Sequence, residues 1–257
     1  MRTWLPDWLF AQLFGDRRRH GLRARKDDGD WERWLERFPE IYTASHNPGT
    51  LEAWVNRQGY RVLGDLDCSG KMVAEVGPGA GYHLDFLRGA PSRYTALDVA
   101  ADFFPILEQR LSARGTRFVG HHLQHFEPQL PLETHSQDIL LSFYSLEHLY
   151  PLPEWLDELH RVVRPGGLLV GAIPAEGGLA WGAGRWLTSR RTFRNRWGLD
   201  LLKLICWSHV NMCDEIMARL RRWGPCSEDR WPFSWLPYDL NLLIRFRVVR
   251  GVSTIRA

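Results

Sequence analysis

Three glycines at alternate positions, Gly77, Gly79 and Gly81, follow a short apolar run, and an acid, Glu75, stands two places ahead of the first. Residues without a Cβ let the backbone bend sharply and lie flat against a ligand. A carboxylate in the same bend suits a cationic amine. A phosphate-cradling P-loop would need Lys-Ser or Lys-Thr after its last glycine, and Tyr82-His83 stands there instead. A dinucleotide fingerprint would need a small residue in the sixth place, which bulky Tyr82 fills. A tight strand-to-helix turn without a ligand is the plain alternative.

The elements around this bend alternate. Met72 to Val76 reads as a buried strand, Tyr82 to Arg88 as a helix, Tyr94 to Leu97 as a strand, Ala101 to Ala113 as a helix and Arg117 to Gly120 as a strand. Asp138 to Phe143 is a further strand, Glu154 to Arg164 a helix stopped by Pro165-Gly166-Gly167, and Leu168 to Ile173 a fifth strand. Leu240 to Val249 reads as the last. Alternating strands and helices require crossover connections, hence a doubly wound α/β domain with helices on both faces of a mostly parallel sheet. Between the fifth strand and a helix that Asn211 is placed to cap and that runs to about Arg222, residues 175–210 form an insertion at the edge where open α/β sheets bind ligands, the usual place for a substrate lid. Residues 1–62 form a helical extension, broken by a loop at His46-Asn47-Pro48-Gly49, and residues 63–257 form the domain itself.

The segment Glu75-Val76-Gly77-Pro78-Gly79-Ala80-Gly81 resembles the first motif of the class I S-adenosylmethionine-dependent methyltransferases. "YTALDVA", "DILLSFYSLEHL" and "LHRVVRPGGLLVGAIP" are similar to the family's later motifs, in order, over roughly residues 70–174. The resemblance implies a Rossmann-like fold with a mostly parallel, seven-stranded sheet, and S-adenosylmethionine as cofactor. It implies a cofactor-binding set of Glu75, Gly77, Gly79, Gly81, Tyr82, Asp98, Val99, His122, Gln124 and Phe143. In it Asp98 takes the ribose hydroxyls, two carboxylate oxygens matching a vicinal diol. The family commonly carries an acid for the adenine amino group after the third strand; here the chain reads Gly120-His121-His122-Leu123-Gln124-His125, so His122 or Gln124 falls near that place. These histidines have no cysteine or carboxylate at ligand spacing, so no metal is expected.

Methyl transfer from a sulfonium is an in-line displacement governed by positioning, to which a general base adds when the acceptor is a hydroxyl. His148 follows the fourth strand and His209 precedes the helix after the insertion; both are candidate bases, each with the alternative of a structural histidine at a helix entry. Tyr144, Arg185, Trp186, Arg190 and Arg191 are the expected substrate-binding residues. Arginine forks bind phosphate or carboxylate and tryptophan faces stack on sugars, so an anionic, sugar or lipid-linked acceptor fits. A solvated helix face with packed tryptophans is the equal alternative.

The chain has 257 residues, 44% hydrophobic, enough for a sizeable core, and a net charge of +3, too weak to imply nucleic acid without a basic binding face. Four cysteines without close pairing suit a reducing compartment, and Pro6 and Asp7 interrupt any secretory segment, so a cytosolic protein is expected. A stripe of Trp4, Leu5, Trp8, Leu9 and Leu13, widened by Phe10 and Phe14, precedes Arg17, Arg18, Arg19, Arg23, Arg25 and Lys26. Either this helix, 4–14, docks on its own domain, or it lies on a membrane surface at the inner face. A non-catalytic partner subunit held to a membrane or complex through residues 1–26 is the second functional class.

Overall fold

The computed structural model describes residues 5–25, 27–47, 49–124 and 127–251, which leaves Trp4, Lys26, Pro48 and His125 outside the described residues. Helices α1 (Asp7–Phe14), α2 (Arg17–His20), α3 (Gly29–Ser45) and α4 (Leu51–Tyr60) precede the sheet. Strands β1 (Met72–Val76), β2 (Arg93–Asp98), β3 (Arg117–His122), β4 (Gln137–Phe143) and β5 (Val163–Pro174) follow, with α5 (Phe104–Ser112) before β3 and α6 (Leu152–Val162) before β5. Residues 175–210 hold α7 (Leu179–Leu187), α8 (Ser189–Thr192), a π-helical turn (Phe193–Trp197) and α9 (Leu201–Ser208). Helix α10 (Cys213–Leu220) leads to β6 (Cys226–Trp231) and β7 (Leu243–Val249).

The seven strands lie in the order β3-β2-β1-β4-β5-β7-β6, with β7 antiparallel to both neighbours. Val76, Asp98, His122, Phe143 and Pro174 therefore end their strands at one edge, and the hairpin from β6 to β7 returns to it, because Leu243 pairs with Pro174. Alternation along β1 sends Ala74 and Val76 into one core with α6 and α10, and Val73 into the other with Tyr94 and α5. Helix α6 shows why it sits where it does: Leu152, Trp155, Leu156, Leu159 and Val162 form one buried stripe at 3.6-residue spacing.

Four local expectations fail for physical reasons. The expected helix over Tyr82 to Arg88 is only a 3-10 turn, Tyr82–Phe86, before the chain turns back at Gly89, which has positive φ. Asn211 does not cap α10, whose N-cap is Met212 without a side-chain bond; the Asn211 amide donates instead to the carbonyls of Leu146 (2.8 Å) and Leu149 (2.7 Å). The last strand starts at Leu243 rather than Leu240, because Tyr238–Leu240 is a 3-10 turn. His121 and His122 belong to β3 itself, not to a loop after it.

The N-terminal helix docks on its own chain. Phe10, Leu13 and Phe14 of α1 are buried with Leu5 and Met212, and α1 packs on α7, where Gly182 has no room for a side chain because Phe14 and Leu13 lie against it. Among the described residues of the stripe, Trp8 is the exposed one, at 69%. Arg17 continues the docking, its guanidinium donating to the carbonyls of His209 (2.6 Å) and Val210 (2.8 Å) just past the C-terminal end of α9, where a cation is favourable. Among the described residues no helix is long and apolar enough to cross a membrane. Replacing fully buried Phe14 (Phe14→Ala) is expected to cost about 3–4 kcal/mol of folding stability, whereas Trp8→Ala should change it by less than about 0.5 kcal/mol. Denaturant titration of both variants measures this; equal, negligible effects would show that the helix is not docked.

Candidate active site

The glycine bend is built for close contact. Gly77, Gly79 and Gly81 all have positive φ (70°, 49° and 70°), where side chains are strained. A Cβ on Gly77 would meet Ser145 at 2.6 Å, one on Gly79 would collide with the Tyr42 hydroxyl, and one on Gly81 with Leu107. Ser145 ties the loop after β4 to this bend, donating to the Val76 carbonyl at 2.7 Å. Asp98, at the end of β2, accepts from Gly79 N–H (3.0 Å) through Oδ2 and from Ala100 N–H (2.9 Å) through Oδ1. Burial raises its pKa, against those backbone bonds.

An aromatic cover lies over the bend. The Tyr42 hydroxyl of α3 accepts from Ala80 N–H (3.2 Å), its ring stacks on His46 (4.2 Å), and His46 stacks on Tyr82 (4.9 Å, 5°). Phe103 closes the other side, 4.9 Å from Tyr42. Lys203 of α9 pairs with Asp28 (2.5 Å) and Asp30 (3.1 Å), which fixes the start of α3 to the insertion. Neither Tyr42 nor His46 carries a local sequence signal; only the fold brings the extension to the glycines.

Other members of the expected cofactor set diverge. Glu75 does not stand open to an amine: it is fully buried, accepts from the Tyr94 hydroxyl, and lies 2.8 Å from His83 Nε2. Its Oε1 alone lacks a partner, and burial raises its pKa. Phe143 is a core residue, its ring stacked on His83 at 5.3 Å. Val99 is partly exposed and its carbonyl lies 3.0 Å from His122 Nε2; Gln124 is exposed. No group of three metal-ligating side chains gathers among the described residues.

The two candidate bases, far apart in sequence, come together. The rings of His148 and His209 lie 4.7 Å apart, edge to face. His148 Nδ1 bonds the Ser208 carbonyl, an acceptor only, so Nδ1 carries the proton and Nε2 keeps its lone pair. Burial and then neighbouring His209 lower its pKa, which favours the neutral ring, although its side chain is 43% exposed and water offsets part of the shift. His209 Nδ1 lies 3.0 Å from Glu176 Oε2, which orients that ring. Glu147, in the same 3-10 turn as His148, is buried and pushed up to about 8, mainly by burial, so it too is neutral at pH 7.

Glu176, two residues past β5, is the centre missed by sequence reasoning; an acid directly after a strand at the ligand edge was the available signal. Fully buried, it receives both arms of Arg185, Trp181 Nε1–H (3.0 Å) and His209. Burial works to raise its pKa, but Arg185 and His209 overcome that and hold it below the usual carboxylate range. Arg185 is therefore not free for an anionic acceptor, contrary to expectation. Tyr144 is not free either: its hydroxyl donates to the Asn56 carbonyl (2.8 Å) beneath α4. Trp186 and Arg191 are exposed and Arg190 half-buried.

Residues 74–171 match the family described as "Methyltransferase domain". The chain is 34% identical over 122 residues to a malonyl-[acyl-carrier protein] O-methyltransferase of Serratia marcescens, covering 47% of this chain and 46% of that protein. It is 32% identical over 113 residues to the phthiotriol/phenolphthiotriol dimycocerosates methyltransferase of Mycobacterium leprae, covering 43% and 40%. It thus spans less than half the length of these curated relatives. Among solved structures, N-methyltransferase NodS of Bradyrhizobium japonicum, in complex with S-adenosyl-L-homocysteine, superposes with a TM-score of 0.55 over 88% of this chain and 100% of that one, at 16% identity, a likeness of fold. Residues 74–171 thus match a methyltransferase domain, in line with the class I, S-adenosylmethionine-dependent type that the motifs led one to expect.

Removing the buried charge at position 176 should expose its role. Glu176→Gln is expected to lower folding stability by about 3 kcal/mol at pH 7 by leaving Arg185 buried and unpaired. Since the carboxyl is held below its unfolded value of 4.5, its contribution is present above that pH and fades as pH falls below it, so the gap between wild type and variant should narrow in acid. Denaturant unfolding across pH checks both; a gap below about 1 kcal/mol at pH 7 would contradict the network's importance.

Proposed function

We propose that this protein is a working S-adenosylmethionine-dependent methyltransferase that methylates a hydroxyl of a small-molecule, sugar or lipid-linked acceptor. The observation that carries the reading is His148, whose Nδ1 holds the proton and whose Nε2 keeps its lone pair, three residues beyond the serine that packs on the glycine bend. The residues of the bend fit the cofactor: Asp98 for a diol, bare backbone at Gly77 to Gly81, and Ala80 N–H for a ligand oxygen, the place that the Tyr42 hydroxyl takes here. When bound, the cofactor supplies an electrophilic methyl carbon on sulfur. His148 Nε2 accepts the acceptor's proton, Ser208 holds the tautomer through Nδ1, and His209, fixed by Glu176, packs against the ring. Tyr82, Val99, His122 and Gln124 are the proposed flank for the adenosine. Trp186, Arg190 and Arg191 are the proposed acceptor contacts. The relative named as a malonyl-[acyl-carrier protein] O-methyltransferase supports an oxygen nucleophile.

The cover of Tyr42 over the bend favours a second reading, a non-catalytic subunit that retains the fold. Incubating the chain with methyl-labelled cofactor and fractionated sugars, lipids and small acids separates the two: label in an acceptor establishes the enzyme, and none in any fraction leaves the subunit. His148→Gln should lower kcat by at least about a hundredfold while the dissociation constant for S-adenosylhomocysteine stays unchanged. Because the His148 pKa is lowered, the acid limb of the rate should lie below pH 6.5; full activity in the variant would remove His148 as the base.

A further inference from the structure

We propose that the ligand edge carries a membrane-docking face of its own, distinct from the N-terminal helix, formed by the β6–β7 hairpin and the C-terminal end of α7 and fitted to an anionic lipid bilayer. This rests on the reading that acceptors enter at this edge.

The hairpin is ordered from within yet presents aromatics to solvent. Asn241, fully buried, accepts from Phe233 N–H (2.8 Å) and shares its amide hydrogens among the carbonyls of Phe233 (3.0 Å), Leu236 (3.2 Å) and Pro237 (3.0 Å). On the loop so fixed, Trp235 is 78% exposed and Phe233 47%. A rigid loop with an exposed indole at its tip does not serve the core; its apolar surface lies in water unless something covers it. The hairpin returns to the strand ends beside Pro174, and its 3-10 turn packs on the start of α7 at Gly178.

Helix α7 ends in a second exposed apolar tip, Trp186 with Leu187, the latter 67% exposed. Cations follow directly: Arg191 and Arg194 are exposed, and among the described residues no carboxylate forms an ion pair with either. Aromatic and aliphatic tips beside unpaired arginines have the composition of an interfacial element, whose rings enter the headgroup boundary while guanidinium groups meet lipid phosphates. Tips projecting from two separate elements suit a deformable lipid surface; a protein partner would need a matching pocket for each. An acceptor drawn from such a bilayer would be a lipid-borne hydroxyl.

The test is flotation of the full chain with vesicles of phosphatidylcholine alone and of phosphatidylcholine with a minority of phosphatidylglycerol. The protein should float with the anionic vesicles only. Leu187→Ala with Trp235→Ala should weaken partitioning by at least about tenfold, as should Arg191→Glu with Arg194→Glu, while Trp8→Ala on the N-terminal helix leaves it unchanged. Binding of S-adenosylhomocysteine, measured on the same samples, reports folding and tests the methyltransferase reading separately, since flotation needs no transfer. No flotation with anionic vesicles, undiminished flotation of both double variants, loss on Trp8→Ala alone, or binding to an acidic carrier protein in place of vesicles would each overturn the proposal.

Discussion

The hydrogen bond from Gly79 N–H to Asp98 is the constraint around which this site is arranged. It draws the end of β2 onto the bend after β1, and it can form only because the chain there takes positive φ at three glycines, with no side chain between backbone and carboxylate. The same bareness lets Ser145 reach Val76 from the loop after β4, and so sets the position of the turn that carries His148. It also lets Tyr42 descend onto the turn from an extension outside the sheet. A methyl group at position 79 would disturb all of these at once.

A second centre holds the insertion to the sheet. Glu176 is stable as a buried anion because Arg185, Trp181 and His209 together satisfy it; with any of them missing, its desolvation would go uncompensated. Through His209 the carboxylate reaches His148, and Asn211 holds the opposite side of that turn by its two bonds to Leu146 and Leu149. Arg17 closes the circuit from the N-terminal helix by binding the carbonyls at the end of α9. The extension, the insertion and the loop after β4 thus form one polar assembly at the strand ends. Such an assembly explains how two histidines on separate loops keep a fixed edge-to-face geometry.

What was legible in the sequence is what local patterning encodes. Buried parallel strands are continuous apolar runs, and the glycine bend needs its glycines, so the central parts of β1 to β5 and the turn stand where periodicity puts them, whereas β3 runs on to His122 and β5 starts at Val163, taking in Pro165-Gly166-Gly167 with a register shift against β4. Strand β6 escaped because an edge strand, Cys226–Trp231, carries Ser227, Glu228, Asp229 and Arg230 in a row and is only partly buried, so no period-two signal appears. Arg185 and Tyr144 read as ligand contacts because residue type shows capacity and not engagement: each is already saturated, one by Glu176 and the other by the α4 backbone. Glu75 shows the same limit, since His83 and Tyr94 reach it from the next element and strand. His148 and His209 were recognisable singly, but their meeting depends on how a folded insertion returns to the sheet.

The account stands most directly on where S-adenosylhomocysteine binds, and a crystal structure of the chain with that ligand measures it. The account predicts the adenosyl group over Gly77 to Gly81, its diol at Asp98, the Tyr42 hydroxyl displaced from Ala80 N–H, and His148 Nε2 facing the space beside the sulfur. A ligand bound elsewhere, with Tyr42 still bonded to Ala80 and Asp98 untouched by the ribose, would contradict it.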